Sequence, residues 1–126
     1  MGSRVKRLGA NIKRFKWRHF SGRFIATIIS EFILNLPVYD TQCGAKIIDS
    51  SVAKIIFEKE FLSKWLFDVE LFFRIIKFYG RTEANVKMKE FALNEWVDKG
   101  DSKVKLSYFF VLWFDLLKIK KTYKNV

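Results

Sequence analysis

Apolar residues along the chain fall into dense blocks divided by short polar stretches, and their spacing sets the expected elements. Residues 2–18 carry no clean apolar period and read as loop or frayed helix. Over 19–36, Phe24, Ile25, Ile28, Ile29, Phe32, Ile33 and Leu36 surround a polar line of Thr27, Ser30, Glu31 and Asn35. That is a helical pattern, and Pro37, the only proline, stops it at the preceding residue. A loop then leads past Gly44 into a strand expected over Ala45 to Ile48. Asp49-Ser50-Ser51 is an N-cap cluster opening a short helix to about Phe57. Residues 66–79 are apolar on most of a helical circumference and end at Gly80, with Glu70 and Arg74 spaced to pair. Short strands are expected over 82–88 and 90–97, a polar loop over Asp98 to Lys103 and a last helix over 104–121. This mixture is an α+β chain.

The last helix contains an apolar run from Tyr108 to Phe114, interrupted by Asp115 and flanked by lysines. A span needs about 20 predominantly apolar residues, so residues 104–121 read as an amphipathic, membrane-interface helix instead. Half of the 126 residues are hydrophobic and 17% aromatic, which excludes a disordered chain. Residues 1–126 are long enough for a single domain with a real core. The 14 Phe and 4 Trp exceed the needs of such a core, so some should face a partner, a missing half or lipid.

The charge balance is 24 Lys plus Arg against 13 Asp plus Glu, or +11. No acid precedes Glu31, whereas Arg4, Lys6, Arg7, Lys13, Arg14, Lys16, Arg18 and Arg23 all do. A second basic group, Lys118, Lys120, Lys121 and Lys124, closes the chain. Such excess suits nucleic acid, an anionic membrane surface or phosphorylated substrates. No nucleic-acid reader motif accompanies it, so no nucleic-acid partner is expected. Cys43 is the single cysteine, which excludes an internal disulfide and fits a reducing, cytoplasmic setting. Lone His19 has no second histidine to complete a metal site, and no metal ligands are assigned.

Candidate chemistry lies in two strings. In Asp40-Thr41-Gln42-Cys43-Gly44-Ala45-Lys46, a carboxylate, an amide and a lysine flank a glycine and can hold a sugar or phosphate. By spacing alone, the same residues read as a turn with Asp40 capping locally and Lys46 solvated. In Phe67-Asp68-Val69-Glu70-Leu71, Asp68 begins an apolar helix, where the dipole favours negative charge. It also suits a general base or acceptor-orienting group. Glu70 is read as the partner of Arg74 or a helix anchor. Trp96 reads as a sugar-stacking platform or as a core residue.

Together these strings resemble the acceptor half of inverting family 2 glycosyltransferases, and most closely the dolichyl- or polyprenyl-phosphate glucosyltransferase branch. That branch reads Asp-Thr-Gln-Cys-Gly-Phe-Lys where this chain has Asp40 to Lys46, with Ala45 the single departure. Gly2-Ser3-Arg4, Arg18-His19-Phe20-Ser21 and Glu90 to Trp96 also resemble family strings, with Ala92 in place of the usual proline. Gly100-Asp101-Ser102-Lys103 is similar to the family's Gly-Ser-Lys loop with Asp101 inserted. The resemblance implies Asp68 as the catalytic carboxylate. It implies Arg4, Arg18, Ser21, Asp40, Gln42, Lys46 and Lys103 as substrate and phosphate contacts.

It further implies the C-terminal part of a GT-A α/β (nucleotide-diphospho-sugar transferase) fold. The full enzyme would move a hexose from a nucleotide sugar to a polyprenyl or dolichyl phosphate, on the cytoplasmic face of a membrane. No Asp-x-Asp string occurs, so the donor half is expected to lie outside this chain, and the chain alone is expected to be inactive. The full enzyme would use a divalent metal, Mg or Mn, and this chain holds no cofactor. The expected partners are a complementary N-terminal half, or a second copy of the chain, and an anionic membrane surface. The alternative reading is a non-catalytic basic module that binds such a surface.

Overall fold

The computed structural model describes residues 1–13, 24–97 and 108–126. The chain is mixed helix and sheet, in keeping with an α+β architecture. It divides into two compact units, Met1–Ile47 with Met88–Asp101, and Ile48–Lys87 with Ser102–Val126.

The first unit draws strands from both ends of its sequence. β1 (Gly2–Ser3) and β2 (Asn11–Lys13) lie where a loop or frayed helix was expected. β1 pairs in parallel with β3 (Phe91–Ala92), and β2 pairs in parallel with β4 (Glu95–Val97). Parallel partners must come from far along the chain, so no local period announces them. The register sets Ser3 beside Ala92 and Ile12 beside Trp96. Glycine suits position 2, because a Cβ there would stand 3.0 Å from a Leu93 methyl and 3.2 Å from Ala45, a tight fit.

Residues 24–27 are α-helical, and α1 (Ile28–Leu34) continues them as a π-helix. It ends at Asn35 in the left-handed region (φ 49), slightly before the proline-based boundary. The wider winding rotates the faces expected from an α-helical period. Ser30 is consequently buried, its hydroxyl donating to the Thr27 carbonyl, while Phe24 and Phe32 are exposed. Among the described residues, Ile12, Ile29, Leu34, Leu36 and Cys43 are the buried apolar side chains of this unit. Ala45 to Ile48 is not a strand: the Ala45 carbonyl accepts from the Gly2 N–H (2.7 Å), but no ladder follows and Ile47 is exposed.

The second unit is helical, and the local signals for α2 and α3 agree with it. Asp49 caps α2 (Ser50–Ile56) by accepting from the Ser51 N–H at 2.9 Å. Bonds from the Ser51 hydroxyl and then its N–H hold the Asp49 carboxyl below its usual range. α3 (Phe67–Tyr79) buries Val69, Leu71, Phe72, Phe73, Ile75 and Ile76, and the chain leaves it through Gly80 at φ 79. Residues 82–88, expected as a strand, belong to a helix, α4 (Arg81–Lys87). Thr82 and Val86 suggest extended structure, yet only Ala84 is buried, and the Ala84 N–H bonds to the Gly80 carbonyl to start a new turn. Glu83 near the start and Lys87 near the end complement the helix dipole. In α5 (Tyr108–Thr122), Leu116 and Ile119 are buried.

Arg74 of α3 ties this unit together. Its guanidinium donates to the carbonyls of Ile56, Lys59 and Glu60, each at 2.6 Å, and to Glu70 Oε1 at 2.8 Å from Nη2. Glu70 Oε1 also accepts from the Tyr123 hydroxyl (2.9 Å), and Oε2 accepts from the Leu62 N–H (2.7 Å). The Arg74 guanidinium lies 4.0 Å over the Phe61 ring. Burial pulls the Arg74 pKa down, but its bonds to Tyr123 and Glu70 outweigh this and leave it raised.

Burial pushes the Tyr123 pKa up, and the neighbouring Glu70 carboxylate adds to this. A raised folded-state pKa means stability is fully present below the ordinary tyrosine value of about 10 and falls as pH rises through the folded value. Tyr123→Phe keeps the stacking on Phe73, whose ring lies 5.4 Å away and nearly parallel. The substitution should cost about 1 kcal/mol at neutral pH and remove this alkaline loss, measured by urea denaturation at pH 7 and above pH 10.

Candidate functional site: the Asp40–Lys46 loop

The loop after α1 turns at Thr41 and Gln42. Asp40, Thr41 and Cys43 point inward, while Gln42 and Gly44 are exposed. The carboxylate of Glu90 holds the entry to this turn, accepting from the Tyr39 N–H at 2.9 Å and the Asp40 N–H at 2.8 Å. Asp40 accepts in turn from Arg4 in a two-pronged ion pair, Nε to Oδ2 at 2.7 Å and Nη2 to Oδ1 at 2.8 Å. The Arg4 N–H adds a third bond to Oδ2 at 3.1 Å. This geometry uses the planar guanidinium fork, which a lysine lacks. The Arg4 guanidinium also lies 5.2 Å from the centre of the Trp96 ring, so Trp96 supports the ion pair from β4.

Lys46 closes the loop on itself. Its ammonium donates to the carbonyls of Cys43 (2.6 Å) and Thr41 (3.2 Å). The loop is therefore held by one cation on its carbonyls, one carboxylate on its amides and one ion pair at its first residue. Both Asp40 oxygens accept from Arg4, so Asp40 acts here as a buried anchor for the turn.

Ser3 and Thr41 bury hydroxyl oxygens that have no hydrogen-bond partner among the described residues. A buried hydroxyl without a partner loses its water bonds and regains nothing on folding. Thr41→Val should be neutral or stabilising by up to about 1 kcal/mol in urea denaturation. A loss of about 2 kcal/mol or more would show that the hydroxyl is paired in solution.

The sites expected from the sequence are distributed unevenly. Arg4, Asp40, Gln42 and Lys46 belong to the first unit, and Arg4 and Asp40 meet there. Asp68 lies in the first turn of α3 in the second unit and is buried, at 7% exposure. Arg18, Ser21 and Lys103 lie outside the described residues. Glu90 and Tyr123 were not singled out as site residues. The sequence signal at Glu90 was its place at the head of the Glu90 to Trp96 string. Tyr123 had none.

Among the described residues, no group of three or more His, Cys, Asp or Glu side chains could hold a metal ion. A cleft of about 400 Å³ lies beside the Arg74 cluster, lined by Ile55, Lys59, Lys77, Phe78 and others, and includes none of the residues assigned to substrate.

No family model matches the chain, and no solved structure matches it. Two curated proteins do, both dolichyl-phosphate beta-glucosyltransferases of Trichomonas vaginalis. The first is 31% identical over 87 residues, covering 69% of this chain and 24% of the relative. The second is 33% identical over 82 residues, covering 65% of this chain and 22% of the relative. The chain thus spans about a quarter of the length of the curated relatives it matches. Over that stretch it resembles dolichyl-phosphate beta-glucosyltransferases.

Proposed function

We propose that this chain is the acceptor-side portion of a family 2 glycosyltransferase with a GT-A fold. The complete activity would transfer glucose from a nucleotide sugar to dolichyl or a related polyprenyl phosphate, with inversion, at the cytoplasmic face of a membrane. The observation that carries this reading is the match to two dolichyl-phosphate beta-glucosyltransferases. The string Asp40 to Lys46, held as a closed turn anchored by buried Asp40, supports it.

In this reading the turn is a preformed wall of the acceptor site, and Gln42 and Gly44 are its exposed contacts. Asp68 is the carboxylate that orients the acceptor or stabilises charge developing on the sugar. A lipid phosphate is already anionic at neutral pH, so positioning matters more than proton removal. A divalent cation such as Mg²⁺ or Mn²⁺ would neutralise the leaving diphosphate. The described residues do not offer it a ligand set.

The test is transfer of label from a nucleotide-activated glucose to dolichyl phosphate in the presence of Mn²⁺. The chain alone should give no product. Joined to a donor half that carries an Asp-x-Asp motif, it should give product, reduced about a hundredfold or more by Asp68→Asn. Robust transfer by the chain alone would overturn the expected dependence on a donor half. Failure of the folded, joined protein to transfer would overturn the function.

A further inference from the structure

α5 presents an unusual outer face. Phe110, Trp113, Phe114 and Leu117 recur at spacings of three and four and therefore lie in one line along the helix. All four are exposed, Phe110 at 74% and Phe114 at 71%, while Leu116 and Ile119 on the other side are buried. The line continues through Lys121 to Lys124, just past the helix end, with Lys118 beside it. All three lysines are exposed, and the only acid of the helix, Asp115, falls on the inward half with half-buried exposure. No helix among the described residues is long and apolar enough to cross a membrane.

We propose that this face of α5 docks flat on an anionic lipid bilayer, with Phe110, Trp113, Phe114 and Leu117 entering the headgroup–acyl boundary and Lys118, Lys121 and Lys124 meeting acidic headgroups. Charge complementarity favours lipid over a protein partner. A contiguous aromatic stripe costs solubility unless something covers it. Its direct continuation into lysines, with no acid on the exposed arc, complements a surface that is apolar inside and negative at its rim. The inference stands on α5 alone and does not depend on the glycosyl-transfer reading, whose own test measures product rather than binding.

The experiment is co-sedimentation of the full chain with vesicles of phosphatidylcholine alone or with roughly one third phosphatidylserine, at low and high salt. Binding should require the anionic lipid and weaken with salt. Phe110→Ser with Phe114→Ser should lower partitioning by about tenfold or more, since it removes two aromatic groups from the lipid-facing line. Lys118→Glu with Lys121→Glu should abolish the preference for anionic lipid. These positions are exposed, so circular dichroism and urea midpoints should stay close to the parent. Phe78→Ser on α3, also exposed, should leave vesicle binding unchanged. Binding indifferent to phosphatidylserine, or unchanged in the Phe110/Phe114 variant, overturns the proposal. So does self-association of the chain that this variant abolishes in the absence of vesicle binding, because the face would then be a protein interface.

Discussion

Glu70→Ala should cost about 3–5 kcal/mol, a large share of the second unit's stability, since a buried ion pair broken on one side strands a charge. Glu70 is 1% exposed, and its carboxylate takes four hydrogen bonds. Two come from Arg74, one from Tyr123 and one from the Leu62 amide. Without it Arg74 keeps only neutral partners, three carbonyls and the Tyr123 hydroxyl, and the Leu62 amide loses its acceptor on α3. A domain of this size commonly has about 5–15 kcal/mol to lose in total. Urea denaturation followed by far-ultraviolet circular dichroism reads the effect.

The pair term can be separated from the stranded charge. Glu70→Ala with Arg74→Ala should cost clearly less than the two single changes summed, because the second removes the charge the first left alone. Arg74→Lys should also destabilise, by about 1–2 kcal/mol, because an ammonium cannot span three carbonyls and a carboxylate with fixed planar geometry. A Glu70→Ala loss within about 1 kcal/mol would mean that water reaches this cluster and screens it.

Asp40→Ala should cost about 2–4 kcal/mol and loosen the Asp40–Lys46 turn. The side chains of Arg4 and Asp40 are 15% and 10% exposed, so solvent offers little replacement for the lost contacts. The substitution removes two guanidinium bonds and leaves the Arg4 N–H without its acceptor. Arg4→Ala should have a similar effect, and the double variant should be little worse than either single one. Hydrogen exchange at the Cys43 amide, which bonds weakly to the Asp40 carbonyl at 3.4 Å, should accelerate in all three. If Asp40→Ala left stability and exchange unchanged, the ion pair would be no anchor, and a direct substrate role for Asp40 would gain weight.

The elements that the sequence made legible are those built from neighbours. Asp49 caps α2 with a residue two positions away, and α3 declares itself through uninterrupted burial closed by Gly80. The Glu70–Arg74 pair follows from one helical turn. α4 was misread because Thr82 and Val86 favour strands by type, whereas packing on α3 requires only a small residue at Ala84. α1 was placed correctly but its faces were not, because a π-helix rotates them from the assumed period.

Much of the candidate site lay beyond local reading. The string Asp40 to Lys46 was visible as unusual chemistry, and its likeness to known glucosyltransferases was carried by residue types. Nothing in the string says that Asp40 takes Arg4, 36 residues earlier, or that Glu90 holds its amides from 50 residues away. Nor does it say that Lys46 bends back onto the carbonyls of Thr41 and Cys43.

By itself, then, the sequence determined α2, α3 and α5 of the second unit, the basic character, the aromatic excess and the family likeness. Each of these depends on residue identity or on contacts within a few positions. Tertiary structure alone decided the parallel strand pairs, the role of Asp40 as an anchor, and the convergence of Glu70, Arg74 and Tyr123. Charges act through space, and only the folded chain brings Arg4 and Asp40, distant in sequence, to within 3 Å, with water largely excluded.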